Sequence, residues 1–145
     1  VNEADCDVLL DVNNIYVNSV NHGYDALEFL NAMPVERITY SHIAGHFKEA
    51  DDFLVDTHGA PIIDPVWELL RHAYSRFGVF PTLLERDFNL PPLSELITEV
   101  KQIKQFQEPI QVVLTDVDMP VMDGFLATKQ IKKLYQIFLK ILLVM

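Results

Sequence analysis

Short apolar runs that end on polar residues alternate along this chain with longer stretches of helical period. Residues 8–12 carry Val8, Leu9 and Leu10 into Asp11, with Asn13 and Asn14 immediately behind, as a buried parallel strand delivers polar side chains to its C-terminal end. Leu27 and Leu30 lie at helical spacing within 24–32, and Pro34 follows the stop. Residues 37–43 predict a second strand, running into His42, Gly45 and His46. The stretch 47–63 reads as a loop centred on Asp56, His58 and Gly59. Asp64 then reads as an N-cap with Pro65 at the first helical position, and Val66, Leu69, Leu70, Ala73 and Phe77 form one apolar stripe ending at Gly78. Residues 81–84 predict a strand leading into Glu85, Arg86 and Asp87. After Pro91-Pro92, a helix presents Leu93, Leu96, Ile97, Val100 and Ile103 on one face.

The same alternation continues in the tail. Residues 110–114 are an apolar strand ending at Asp116, Asp123-Gly124 opens a helix, and 141–144 begin another strand. Strands alternating with helices predict an α/β architecture with a mainly parallel sheet.

Charge divides the chain. Up to Lys104 there are seventeen acidic and seven basic residues, and from Gln105 onward four of each, which places a boundary near 106–110. The formal net charge of −10 argues against a nucleic-acid-binding surface, which needs clustered Lys and Arg. The single cysteine, Cys6, excludes an intramolecular disulfide framework and fits a reducing, cytoplasmic compartment. The apolar run 137–145 is interrupted by Lys140 and is far shorter than the ~20 residues a membrane helix requires, so no membrane association is expected. A chain that opens on Val1 fits a fragment or a processed product.

The polar residues fall where parallel α/β folds place their active-site face, at strand C-termini and in the following loops. Those places hold Asp11 and Asn13, His42 and His46, Asp56 and His58, then Glu85 and Asp87. Imidazole and carboxylate with an amide oxygen suit iron, manganese or zinc, and several carboxylates at one focus call for more than one cation. Each residue also has an ordinary reading: Asp11 as a turn cap, Asn13 and Asn14 as turn formers, His42 and His46 as loop histidines, Asp56-Thr57-His58 as an Asx-type turn, Glu85 and Asp87 as surface charges. His22 and His72 lie outside the pattern.

The strings LLDVNNIYVNSVNHGYD, SHIAGH, DTHGAPIIDPVWELL and LLERDFNLPPLSEL resemble the multinuclear non-haem iron-dependent oxidases, which include enzymes that modify cysteines of precursor peptides, as in methanobactin biosynthesis. The resemblance covers residues 1–105. It implies the later strands of a TIM (β/α) barrel, two or three iron ions that activate dioxygen, a precursor peptide, and a partner protein that presents it. Carried over residue by residue, Asp11, Asn13, His42, Asp56, His58 and Glu85 are the implied iron ligands. His46 is an implied ligand or a neighbour of one, and Asp87 a supporting polar residue that orients ligands.

A full barrel takes about 250 residues, and the family's early histidines and bridging glutamate have no counterpart here. The expectation is a partial barrel with two unpaired sheet edges that favour self-association, and no full oxidase activity from this chain alone.

Residues 111–145 resemble part of a flavodoxin-like response-regulator receiver domain through the pattern D-x-x-M-P-x-M-D-G at 116–124. The resemblance implies a βαβ unit with Asp116 as phosphoacceptor and Mg²⁺ beside it. The upstream acidic pair that would hold Mg²⁺ is absent, so phosphotransfer is not expected. Three readings follow: a truncated iron oxidase, a receiver fragment in two-component signalling, and a gene-fusion product without activity.

Overall fold

The computed structural model describes residues 1–106, 115–116 and 143–144, the last two pairs through their backbone only. The first strand, β1 (Val8–Asp11), passes without a linker into helix α1 (Val12–His22). Asp11 ends the strand and also caps the helix, its Oδ1 accepting the Asn14 N–H at 2.8 Å. Val12, Asn13, Ile15, Val17 and Ser19 face inward, and Gly23 closes the helix at φ +67°, a left-handed conformation that glycine adopts freely. Asn13 and Asn14, read from the sequence as turn formers or ligands, thus stand in the first turn of a helix.

Helix α2 (Ala26–Asn31) is capped by Asp25 and buries Leu30. Strand β2 (Ile38–Ile43) then pairs parallel with β1, placing Asp11 beside His42. The expected loop at 47–63 in fact opens with an antiparallel hairpin, β3 (Phe47–Ala50) and β4 (Phe53–Val55), before continuing irregularly to residue 63. Its strands escape the alternating signal because all four residues of β3 are exposed and only Leu54 of β4 is buried.

Helix α3 (Asp64–Phe77) buries Val66, Trp67, Leu69, Leu70, Ala73 and Tyr74, and Gly78 caps its end, as the apolar stripe predicts. Its start differs by one residue: Ile63 is the N-cap, without a side-chain bond, and Asp64 opens the helix itself. A negative charge in the first turn still favours the helix N-terminus. Strand β5 (Thr82–Leu84) pairs parallel with β2, and helix α4 (Leu93–Phe106) follows. Ile103 is buried on α4, while Leu93, Leu96, Ile97 and Val100 on the same face are half-buried.

The sheet order β1-β2-β5 follows the chain, with helices between successive strands. The core lies under the helices, where Leu10, Val12, Leu30, Ile43, Val66, Leu70 and Ala73 are almost wholly enclosed. Each fully buried aliphatic side chain contributes about 1.5–3 kcal/mol. The architecture is mixed α/β with a parallel sheet. No helix among the described residues is long and apolar enough to cross a membrane.

In the tail, β6 (Thr115–Asp116) pairs parallel with β7 (Leu143–Val144). The strand expected at 110–114 and the helix expected from Asp123-Gly124 lie outside the described residues, as does the side chain of Asp116.

Candidate metal centre

Three neighbouring parallel strands deliver one acidic or imidazole side chain each at the same edge. Asp11 ends β1, His42 lies near the end of β2, and Glu85 follows β5, its N–H donating to the Ile43 carbonyl at 3.0 Å. The loop after β4 brings Asp56 and His58 to the same place. Its path is fixed at two points. The Asp87 N–H donates to the His58 carbonyl at 3.2 Å. At Gly45 a Cβ would fall on the Ala60 and Pro61 carbonyls, so only glycine admits the loop this close to the segment after β2. His58 itself takes φ +52°, a left-handed conformation that a non-glycine residue holds only when its surroundings enforce it.

The side chains converge. Nδ1 of His42 lies 2.9 Å from Oε2 of Glu85. His58 stands between three carboxylates, with Nε2 3.0 Å from Asp56 Oδ1, and Nδ1 3.1 Å from Asp87 Oδ2 and 3.4 Å from Glu85 Oε2. Among the described residues, three groups have ligand atoms within 4.8 Å of one another: Asp11, His42 and Glu85; Asp11, Asp56 and His58; and His58, Glu85 and Asp87. Asp11, His58 and Glu85 each belong to two groups, so the three are joined.

Burial and neighbours set the charge states. Asp56 and then Glu85 hold the His58 imidazolium, raising its pKa from 6.5 to about 11. His42 and His58 pull Glu85 down from 4.5 to about 2. Burial raises Asp56, but His58, Asn14 and Asn13 outweigh it and leave its pKa lowered. Burial raises that of Asp11, against the Asn14 N–H. His58 Nε2 and Glu85 Oε2 are nonetheless buried without an aligned hydrogen bond, so their close contacts are those of charge with charge. Buried polar atoms are normally satisfied. Two orphans at the centre of joined imidazole–carboxylate groups fit a cation, and the donor set suits iron, manganese or zinc.

Asn13 organises a second layer. It is fully buried, donates from Nδ2 to Asp56 Oδ1 at 2.5 Å, and faces His46 Nδ1 with its Oδ1 at 2.8 Å. A carboxylate only accepts, so the Asn13 amide nitrogen must face Asp56 and its oxygen must face His46. Nδ1 of His46 therefore carries the proton, leaving the lone pair on Nε2. Burial lowers the His46 pKa, against the opposing charge of Asp56, and favours this neutral form.

The structure thus gathers Asp11, His42, Asp56, His58, Glu85 and Asp87, and holds Asn13 one contact and His46 two contacts behind Asp56. Asp87 is the more exposed member, with 47 % of its side chain open. His72 bonds Asn31 and His22 lies in the exposed last turn of α1, both apart from the cluster. Two contacts were not legible in the sequence. Asn14 donates from Nδ2 to Asp56 Oδ2 at 3.2 Å. Arg86, between Glu85 and Asp87, turns inward and pairs with Glu99 at 3.2 Å, while Glu99 also accepts the Ile62 N–H. The position of Arg86 between two candidate ligands was the available signal, and its burial against Glu99 was not foreseen.

Residues 1–108 match the family described as RiPP precursor modification enzyme MbnB/TglH/ChrH. A UPF0276 protein of Shewanella sediminis is 64% identical over 115 residues, covering 79% of this chain and 41% of the relative. One from Alcanivorax borkumensis is 61% identical over 106 residues, covering 73% and 36%, and one from Pseudomonas aeruginosa 60% identical over 105 residues, covering 72% and 37%. The chain thus spans about two fifths of the length of these relatives.

Proposed function

The chain belongs to the MbnB/TglH/ChrH family of RiPP precursor modification enzymes, and from that premise we propose that its clustered imidazoles and carboxylates form part of a multinuclear iron centre acting on a precursor peptide. The observation that carries this reading is the sharing of Asp11, His58 and Glu85 among the three ligand-capable groups. Ligand atoms about 2.1 Å from one ion lie up to about 4.2 Å apart, so each group closes on an ion with shifts of under about 1 Å.

In this reading His42, Glu85 and Asp11 would hold one ion, and Asp56 and His58 with Asp11 would hold a second. Asp87 supports His58. Asn13 fixes Asp56 and sets the His46 tautomer, with one oxygen lone pair of its amide left for a cation. Bound iron would supply redox chemistry with dioxygen toward a peptide cysteine. The residues themselves would bind and orient the ions, and His58 would give up its proton to do so. The strand order, in which each sheet strand lies beside the next in the chain, supports placement within a (β/α) barrel sheet. In this reading the domain occupies 1–105 with a junction at 106–110, supported by the charge change after Lys104; the family match itself runs over 1–108.

The receiver expectation for 111–145 rests on its motif alone. No phosphoacceptor role for Asp116 and no Mg²⁺ site are carried forward.

Anaerobic Fe(II) titration with stoichiometry by elemental analysis tests the centre. The chain should retain iron through desalting, and His42→Ala combined with His58→Ala should abolish it. Undiminished iron in the folded double variant would remove the proposed centre.

A further inference from the structure

We propose that Asn18 is a positioning residue for the Asp56 carboxylate and acts through Asn14. This inference rests on the reading of Asp56 as part of the metal centre. It begins from the one-way chemistry of a carboxylate, which accepts hydrogen bonds and donates none. Nδ2 of Asn14 lies 3.2 Å from Asp56 Oδ2, so the amine end of that amide faces the carboxylate. Its oxygen must then point away. There it meets Nδ2 of Asn18 at 2.8 Å, and the same Asn18 amine reaches the Asn14 main-chain oxygen at 3.0 Å.

Asn14 and Asn18 stand four positions apart on α1, one turn above the other on the same helix face. Turning the Asn14 amide over would set its oxygen against Asp56 and its amine against the amine of Asn18. Both contacts would become repulsive, so Asn18 locks the amide in the donating orientation. With Asn13 on Oδ1 at 2.5 Å, each Asp56 oxygen then carries one amide donor from α1. Asn21 anchors the approach to the same loop: its amide exchanges two hydrogen bonds with the Leu54 backbone, at 2.8 and 2.7 Å, two residues before Asp56. The carboxylate plane is fixed from one side, and Oδ1 keeps its remaining lone pair toward His58, whose proton a cation would replace.

The test uses the full chain with Asn18→Asp, which keeps the shape and removes the donor, and Asn18→Ala. Co(II) serves as the probe, read by its visible absorption. Both variants should keep the wild-type helical circular dichroism and bind Co(II) about tenfold more weakly, the size expected when a partner of a ligand is removed. In metal-free protein, the Asp56 carboxyl carbon and the Asn14 side-chain amide resonances should move in both variants. Unchanged Co(II) affinity with unmoved resonances overturns the proposal. If wild-type protein takes up no Co(II), the metal reading fails, and the resonances alone decide: moved, they support the amide lock, and unmoved, they overturn it.

Discussion

Nδ1 of His42 and Oε2 of Glu85 lie 2.9 Å apart although forty-three positions separate them in sequence. Parallel pairing of β2 with β5 brings them together, since the register sets His42 against Leu83 and Ile43 against Leu84. The same Glu85 oxygen stands 3.4 Å from His58, so a single carboxylate charge serves two imidazoles. Glu85→Gln preserves the shape and removes that charge. In the metal-free variant, His58 should titrate well below its wild-type position, read by histidine ring resonances. Fe(II) affinity should fall more than about tenfold, beyond the effect of losing a mere ligand partner. An unmoved His58 titration would show that Glu85 does not face it in solution.

The acidic and basic limits of stability follow from the same groups. His58 holds its proton more tightly in the folded chain than in the unfolded one, so its contribution is complete below about pH 6.5 and is lost as pH rises through about 11. Glu85 is the reverse. Its contribution is complete above about pH 4.5 and is lost as pH falls through about 2. Urea unfolding in the presence of a chelator should therefore show wild type more stable than His58→Asn near neutrality, with the gap closing toward pH 11. A gap that stays constant across the alkaline limb would contradict the charge assignment.

Arg86 and Glu99 form the one ion pair of the described set in which both side chains are at least four-fifths buried, with 6 % and 16 % exposed. The pair ties the end of β5 to α4, and Glu99 also accepts the Ile62 N–H at 3.2 Å. Removing one partner leaves a buried charge uncompensated, so Glu99→Ala should cost about 3–5 kcal/mol in urea unfolding. The paired change Arg86→Met with Glu99→Leu should recover most of that loss. A Glu99→Ala variant as stable as wild type would mean that water reaches the guanidinium.

Much of this arrangement was legible before any coordinates. The strands at Asp11, His42 and Glu85 announce themselves because short apolar runs end on polar residues, and the α3 stripe from Val66 to Ala73 is buried as its spacing implies. Helix α1 was not legible. Asparagines at 13, 14, 18 and 21 interrupt its apolar spacing and imitate a turn, because the side chains of Asn13, Asn14 and Asn21 serve the Asp56 loop and that of Asn18 serves Asn14. The hairpin escaped for a related reason: Phe47, Phe53 and Val55 are exposed, so hydrophobicity and burial part company there. Contacts such as Asn14 with Asp56 join residues forty-two positions apart and exist only once the sheet has formed. Residue identity alone could not assign them.

The most direct measurement is anomalous diffraction at the iron edge from crystals of this chain grown or soaked anaerobically with Fe(II). The account predicts iron peaks about 2.0–2.2 Å from ligand atoms of His42, Glu85 and Asp11, and of His58 and Asp56. Peaks confined to the surface, or His42 and His58 turned away from one another with no iron between them, would contradict it.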